Sequence, residues 1–220
     1  MFERRTVLRL LAPVLLALPS VARGQFEGTI TMHVSSTSGG SDMDYSVKGS
    51  RVRMDIATAT MAMYILADNG KATMVMPAQK MYLEQSIPAM APDAKATSKV
   101  TVKATGRMET IAGYKCEHYT ITDPKEGGYD ACLSKELGTF MAPMNPMSGR
   151  GAGASDASSD VLAHLGGNAF PLKVRKVGGA TTLEVTKIEK KPLSESLFAI
   201  PSGFTKLDVG TMKGMRPPQQ

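Results

Sequence analysis

The chain has 220 residues, with 26 Lys and Arg against 20 Asp and Glu, and a formal net charge of +6. This length suits one domain with a sizeable core. Four basic residues and one acidic residue lie in the first 24 positions, so the remaining 22 basic and 19 acidic residues give a charge of only +3. Such a modest charge is that of an ordinary solvated surface and argues against a nucleic-acid partner.

Residues 1–24 have the pattern of a cleaved export signal. A charged start that includes Arg4 and Arg5 precedes an apolar run at 10–18, which is too short for a permanent membrane anchor. We favour cleavage after Gly24, with a site two residues earlier as the alternative. The arginine pair also resembles a twin-arginine signal, but such pairs are common in ordinary secretory signals, so we expect Sec-dependent export.

The first part of the mature chain predicts a meander of antiparallel strands. From Phe26 to Val34, apolar and polar residues alternate strictly, as in a strand that is buried on one side only. Asn69–Gly70 suits a tight hairpin turn. Further strands are predicted, in order, at 43–47, 51–56, 63–66, 72–76 and 80–84.

The stretch 105–123 continues the strand pattern and leads to both cysteines of the chain. This stretch begins with a polar turn at Thr105–Gly106 and is interrupted by Gly113, so we expect a strand that enters a hairpin. Cys116 and Cys132 then lie near the two ends of that hairpin, and in an oxidising compartment a Cys116–Cys132 disulfide is the default. A redox pair and a thiolate metal site are the alternatives, but the spacing is not C-x-x-C.

The remaining segments predict a loop or short helix at 86–98 and a short helix at 158–165. Between them, residues 142–160 have the Gly, Ala, Ser and Pro content of a flexible insertion. The apolar segment from Leu193 to Phe204 is expected to close the domain, and 209–220 to form a disordered tail.

These patterns together predict one mainly β domain at 25–208. We expect a strongly curved antiparallel sheet, or half-barrel, with one or two short helices across its concave face. Because the strands have one apolar face each, that face must be covered, and 86–98 and 158–165 are the candidates. An incomplete cover would leave an apolar cavity.

Seven segments of the chain resemble, in their order and in their residues, a family of exported bacterial proteins with a domain of unknown function. The resemblance covers most of the chain from Phe26 to Lys206. It implies a periplasmic location, a half-open β-barrel like that of the lipoprotein-localisation carriers, and a shape that binds hydrophobic ligands, but no reaction. The segments are FEGTITM, KGSRVRMD, MVMPAQKMYLE, TGRMETIAGYKCEHYTITD, CLSKELGTF, FPLKV and LEVTKIEKKPLSESLFAIPSGF.

The chain has 16 methionines, many of them at strand positions, where the flexible thioether fits an adaptable apolar face. A plain core is the ordinary interpretation of such residues. The functional interpretation is a cavity that takes a lipid acyl chain or the lipid anchor of another protein. The predicted lining is Phe26, Ile30, Met32, Val34, Met54, Ile56, Met74 and Met76.

Two other functions stay open. Met141, Met144 and Met147 place three thioethers at regular spacing, and soft sulfur ligands select Cu(I), so a periplasmic copper-binding protein is the first alternative. A structural or interaction module with a filled barrel and no ligand is the second.

An enzyme is the class with least support. The sequence has no Ser-centred elbow, no H-E-x-x-H, no phosphate-binding loop and no paired-carboxylate motif. His33 is expected to be exposed on the polar face of its strand, and His118 to be a strand-paired polar residue rather than a ligand. We therefore expect no catalytic residue and no cofactor, and an apolar ligand or a lipidated protein as the partner.

Overall fold

The computed structural model describes residues 26–36, 39–57, 62–86, 100–124, 127–140, 161, 164–165 and 167–208. The predicted signal at 1–24, the insertion at 142–160 and the tail at 209–220 lie outside these residues, as do the copper candidates Met141, Met144 and Met147. Among the described residues, no helix has both the length and the apolar character needed to cross a membrane.

A single sheet of 12 strands forms the fold, and it stays open rather than closing into a barrel. Its order is β12-β6-β5-β4-β3-β2-β1-β11-β10-β9-β8-β7, and all neighbours are antiparallel except β12 and β6. The predicted mainly β, curved antiparallel sheet is thus confirmed. The strands are β1 Gly28–Ser36, β2 Gly39–Lys48, β3 Arg51–Ala57, β4 Ala62–Asp68, β5 Lys71–Met76, β6 Met81–Ser86, β7 Thr101–Ile111, β8 Tyr114–Asp123, β9 Gly127–Ser134, β10 Phe170–Lys176, β11 Thr181–Lys190 and β12 Thr205–Lys206.

The predicted hairpin turn at Asn69–Gly70 connects β4 to β5. Asp68 pairs with Lys71, and the two residues between them have φ values of 45° and 77°. Two consecutive positive φ values match the twist of the flanking strands, which is why Asn-Gly is favoured here.

The prediction of a turn at Thr105–Gly106 is wrong. Strand β7 continues through these residues, with an irregular register between Ala104 and Met108, and the chain instead reverses at Ala112–Gly113, where φ is 49° and 86°. A bulge accommodates Gly106 inside the strand. The stretch 105–123 is therefore itself most of a hairpin, β7–β8, and Cys116 and Cys132 belong to the next hairpin, β8–β9.

The curvature of the sheet is visible in ring contacts between distant strands. Strands β2 and β10 are three strand spacings apart, about 14 Å in a flat sheet. The rings of Tyr45 on β2 and Phe170 on β10 nevertheless have centroids only 5.3 Å apart. Phe26, just before β1, similarly contacts Tyr114 on β8. The face that carries these rings is therefore concave.

A segment that we did not predict as a cover lies over this concave face. Leu137 is fully buried in the main core, and the Phe140 ring lies 5.4 Å from Tyr45 and 5.2 Å from Phe170. Of the two predicted covers, 86–98 lies outside the described residues except for Ser86, which is the last residue of β6. From 158–165 only three residues are described, and two of them, Val161 and Leu165, pack against β8 and β9.

The C-terminal segment covers the opposite face of β4–β6. Tyr64, Leu66 and Val75 form a small buried cluster there, and Ile200 and Phe204 pack against it. This half of the sheet is consequently buried on both sides, although the strand alternation predicted a single buried face.

Candidate functional site

The predicted lining residues share the concave face of the sheet. Residues directly opposite each other on neighbouring strands point to the same side. Ile30 pairs with Tyr45, Tyr45 with Met54, Met54 with Ile65, and Ile65 with Met74. Alternation along each strand brings Met32, Val34, Ile56 and Met76 to this side, and Phe26 joins the same core cluster. That they line a ligand cavity stays a prediction.

A row of methionines crosses six neighbouring strands on this face. Met32 pairs with Met43, Met43 with Ile56, and Ile56 with Met63. Tyr64 pairs with Val75, so Met63, which precedes Tyr64, lies next to Met76, which follows Val75. Met76 in turn pairs with Met81. Together with Ile56, these methionines form the methionine row: Met32, Met43, Ile56, Met63, Met76 and Met81.

Burial changes along the methionine row. Met32 and Met43 are 0% and 5% exposed, whereas all members from Ile56 to Met81 are half-buried. The row thus leads from the packed core to a part of the concave face where thioether and aliphatic groups still reach solvent. An apolar chain laid along that part would bury further apolar surface.

A second candidate site surrounds His118 on β8. The side chain of His118 is only 5% exposed, and both ring nitrogens face carboxylates. Nδ1 lies 2.6 Å from Oδ1 of Asp130, and Nε2 lies 2.9 Å from Oε2 of Glu109. A buried imidazole held on both sides in this way has a fixed ring orientation.

Basic side chains complete this group of residues. The guanidinium of Arg107 donates to Oδ2 of Asp130 at 2.9 Å and lies 2.6 Å from Nδ1 of His118. The Lys173 ammonium lies 3.1 Å from Glu184 and 3.8 Å from Glu109. The name "His118 cluster" is used below for Arg107, Glu109, His118, Asp130 and Lys173.

The register of β7 to β10 brings the His118 cluster together. His118 pairs with Cys132, Cys132 with Lys173, and Asp130 with Arg175, so these residues share one face. A surface cavity of about 340 Å³ opens on this face, lined by the cluster together with Met108 and Arg175. Tyr119, Ala131 and Val174 alternate with them on the other side of the sheet.

The predicted disulfide is present beside the cluster. Cys116 and Cys132 are bonded, with Cα atoms 5.3 Å apart, and are 1% and 0% exposed. The Cys132 sulfur, a Glu109 oxygen and a His118 nitrogen lie within 4.8 Å of one another. The bonded sulfur is not a thiolate and is therefore no metal ligand in this state.

Sequence reasoning underestimated His118. Strand pairing was expected and occurs, but the burial of this residue among charged side chains was not predicted. The sequence does contain one indication of this burial. Cys116 and His118 are two residues apart in one strand, so both side chains point to the same side, and a disulfide-bonded Cys116 is expected to be buried. His33 behaves as expected: it is exposed and contacts Asp42 at 2.7 Å.

Tyr119, next to His118 in the chain, faces the opposite side and is also perturbed. Burial, together with the hydrogen bond that its hydroxyl donates to Glu117 at 2.7 Å, raises its pKa to about 12. The neutral phenol is thus the form that the fold stabilises.

Comparison with known proteins places the chain by family and fold. A family model described as domain of unknown function DUF4412 matches residues 26–204. No curated protein matches the sequence. An uncharacterized conserved protein from Thermus thermophilus has a similar structure, with a TM-score of 0.51 at 7% identity over 84% of this chain and 91% of that one. At that identity the similarity shows the fold alone.

Two further solved structures align less well. PNGF-II gives a TM-score of 0.48 at 15% identity, covering 86% of this chain and 32% of that one. A chain of the Pseudomonas aeruginosa MucA/MucB complex gives 0.44 at 14% identity, covering 79% and 55%.

Proposed function

We propose that this chain, which belongs to the DUF4412 family, is an exported, non-enzymatic protein that binds an apolar chain on the concave face of its sheet. The ligand is a lipid acyl group, either free or as the lipid anchor of another protein. The half-buried part of the methionine row is the observation that carries the proposal.

A contiguous apolar patch that still reaches solvent is typical of a binding surface. The methionine row remains part-exposed from Ile56 to Met81 while staying continuous with buried Met32 and Met43. Covering such surface contributes roughly 25 cal/mol per Å² of apolar area. Unbranched thioether side chains also adjust to ligands of varied shape, which suits acyl chains.

Two features support a location outside the cytoplasm. Residues 1–24 have the pattern of an export signal. The buried Cys116–Cys132 disulfide also suits an oxidising compartment such as the periplasm. A lipid ligand there would need protection from water, which a concave apolar face provides.

The proposal is tested by titrating a fluorescent long-chain fatty acid into the mature protein and into the variants Met74→Asp and Met76→Asp. A carboxylate on this face would lose its hydration against the ligand, so we expect at least a ten-fold loss of affinity, about 1.4 kcal/mol. Met108→Asp is the matched control, because Met108 is 60% exposed on β7 and lies away from the methionine row.

Thermal unfolding must show that all three variants are folded. Binding that is equally strong in folded Met74→Asp, Met76→Asp and Met108→Asp would contradict the proposed site. Absence of binding by the unmodified mature protein would contradict the proposed function.

A further inference from the structure

We infer that opening the Cys116–Cys132 disulfide converts part of the His118 cluster into a metal site, with Zn²⁺ as the favoured ion. The ligands are the Cys132 thiolate, Nε2 of His118 and the Glu109 carboxylate. None of these ligands belongs to the methionine row, and the site does not depend on the proposed acyl-chain binding.

The three ligand atoms are already near one another. Sulfur, imidazole nitrogen and carboxylate oxygen lie within 4.8 Å, and each is a ligand type that Zn²⁺ takes, at about 2.0 to 2.3 Å. His118 and Cys132 face each other across β8 and β9, so the sheet itself sets their spacing. Small side-chain movements toward a central ion would bring them into bonding range.

The neighbours of His118 prepare it as a ligand. Oδ1 of Asp130 lies 2.6 Å from Nδ1 and would accept a hydrogen bond from Nδ1–H when Nε2 binds a metal. A carboxylate behind a ligating imidazole is the usual arrangement in protein zinc sites, because it fixes both ring orientation and tautomer. Arg107 in turn holds Asp130 through a 2.9 Å hydrogen bond.

The short contact between Nε2 and Glu109 marks the place of the ion. The two atoms are 2.9 Å apart, and the Glu109 carboxylate is also near the Lys173 ammonium. A divalent ion between Nε2 and Glu109 would bind both groups and neutralise the carboxylate. The surface cavity of about 340 Å³ gives the ion a path and supplies water for a further coordination position.

The disulfide keeps the site closed. A dithiol reductant transfers two electrons and two protons, the S–S bond breaks, and the reductant becomes a disulfide while Cys116 and Cys132 become thiols. Metal binding to the neutral imidazole through Nε2 then releases the Cys132 thiol proton to solvent. Because both cysteines are at most 1% exposed, reductants reach them slowly, and mutation opens the site more directly.

The experiment compares Cys116→Ser with Cys132→Ser in the mature chain. Both variants lose the same disulfide, but only Cys116→Ser keeps the proposed sulfur ligand. Each is titrated with Co²⁺, whose thiolate charge-transfer absorption reports a metal–sulfur bond, and then with Zn²⁺ as competitor. We expect the absorption in Cys116→Ser and its loss on adding Zn²⁺, with no such absorption in Cys132→Ser or in the disulfide-bonded protein.

His118→Ala added to Cys116→Ser should weaken Co²⁺ binding at least ten-fold. Equal Co²⁺ spectra for the two serine variants, or no metal–sulfur absorption in folded Cys116→Ser, would overturn the inference. If Cys116→Ser does not fold, the wild-type chain kept reduced by a dithiol takes its place. Absence of Zn²⁺-displaceable absorption in that protein would overturn the inference equally.

Discussion

Glu195 is held at the start of the closing segment by two basic residues of the β2–β3 hairpin. Arg51 donates a hydrogen bond to its carboxylate, and the Lys48 ammonium lies 2.8 Å from it. These contacts lower the pKa of Glu195 from 4.5 to about 2. The ionised form therefore ties the segment that carries Leu193 and Leu197 to the sheet.

This pKa predicts how stability depends on pH. A carboxyl whose pKa is lowered by folding contributes stability above its unfolded value near 4.5, and this contribution is lost as the pH falls toward 2. The difference in free energy of unfolding between wild type and Glu195→Gln should thus be present at pH 7 and vanish near pH 2. Denaturant unfolding across this range measures it.

A side-chain NMR titration gives the direct control. An ordinary pKa for Glu195, or a difference between wild type and Glu195→Gln that persists unchanged at pH 2, would contradict the contacts described. Because the carboxylate is exposed, added salt should also reduce the difference.

Arg53 connects the same segment to β3 from a more buried position. Its guanidinium makes two hydrogen bonds to Asp55, lies 3.8 Å over the Tyr64 ring and donates to the Leu197 carbonyl at 3.0 Å. Lysine lacks the planar fork needed for this combination. One residue thus links the sheet, its aromatic back face and the closing segment.

At the scale of elements, the β8–β9 hairpin depends on its disulfide. Replacing both Cys116 and Cys132 by serine should lower the free energy of unfolding by about 3 kcal/mol, because the unfolded chain regains the freedom of the closed loop. Equilibrium denaturation in urea measures the change. Reduced wild type should match the double variant, and a double variant as stable as the oxidised protein would contradict this role.

The two edges of the sheet carry features that discourage pairing with other chains. The edge strand β7 has a register irregularity between Ala104 and Met108, with charged Lys103 and Arg107 nearby. The other edge strand, β12, is only two residues long. Bulges, charges and short strands are common means of blocking edge-to-edge association.

At the scale of the whole molecule, local alternation predicted the strands and a curved antiparallel sheet, but not which distant strands pair with each other. One-faced patterns such as Phe26–Val34 identified strands and their apolar side correctly. The pairing of β1 with β11 joins residues as far apart as Gly28 and Lys190, and no local pattern encodes it. Nor does a local pattern predict that Ile200 and Phe204 pack against the convex face of β4–β6.

Of the two candidate sites, the sequence predicted one and not the other. The apolar face was predictable because alternation places Ile30, Met54 and Met74 on one side of their strands. The His118 cluster was not predictable, because its other members come from three strands, β7, β9 and β10, and the register of these strands is set by tertiary pairing. A single histidine in an alternating strand carries no sign of those partners.

Native mass spectrometry of the mature protein purified from the periplasm tests the central claim most directly. The spectrum should show adducts of lipid mass that dissociate when the same sample is denatured, because a bound acyl chain would be held only by apolar burial on the folded concave face. A bare protein mass in both spectra, two hydrogens below the reduced value, would confirm the disulfide and contradict the proposed carrier function.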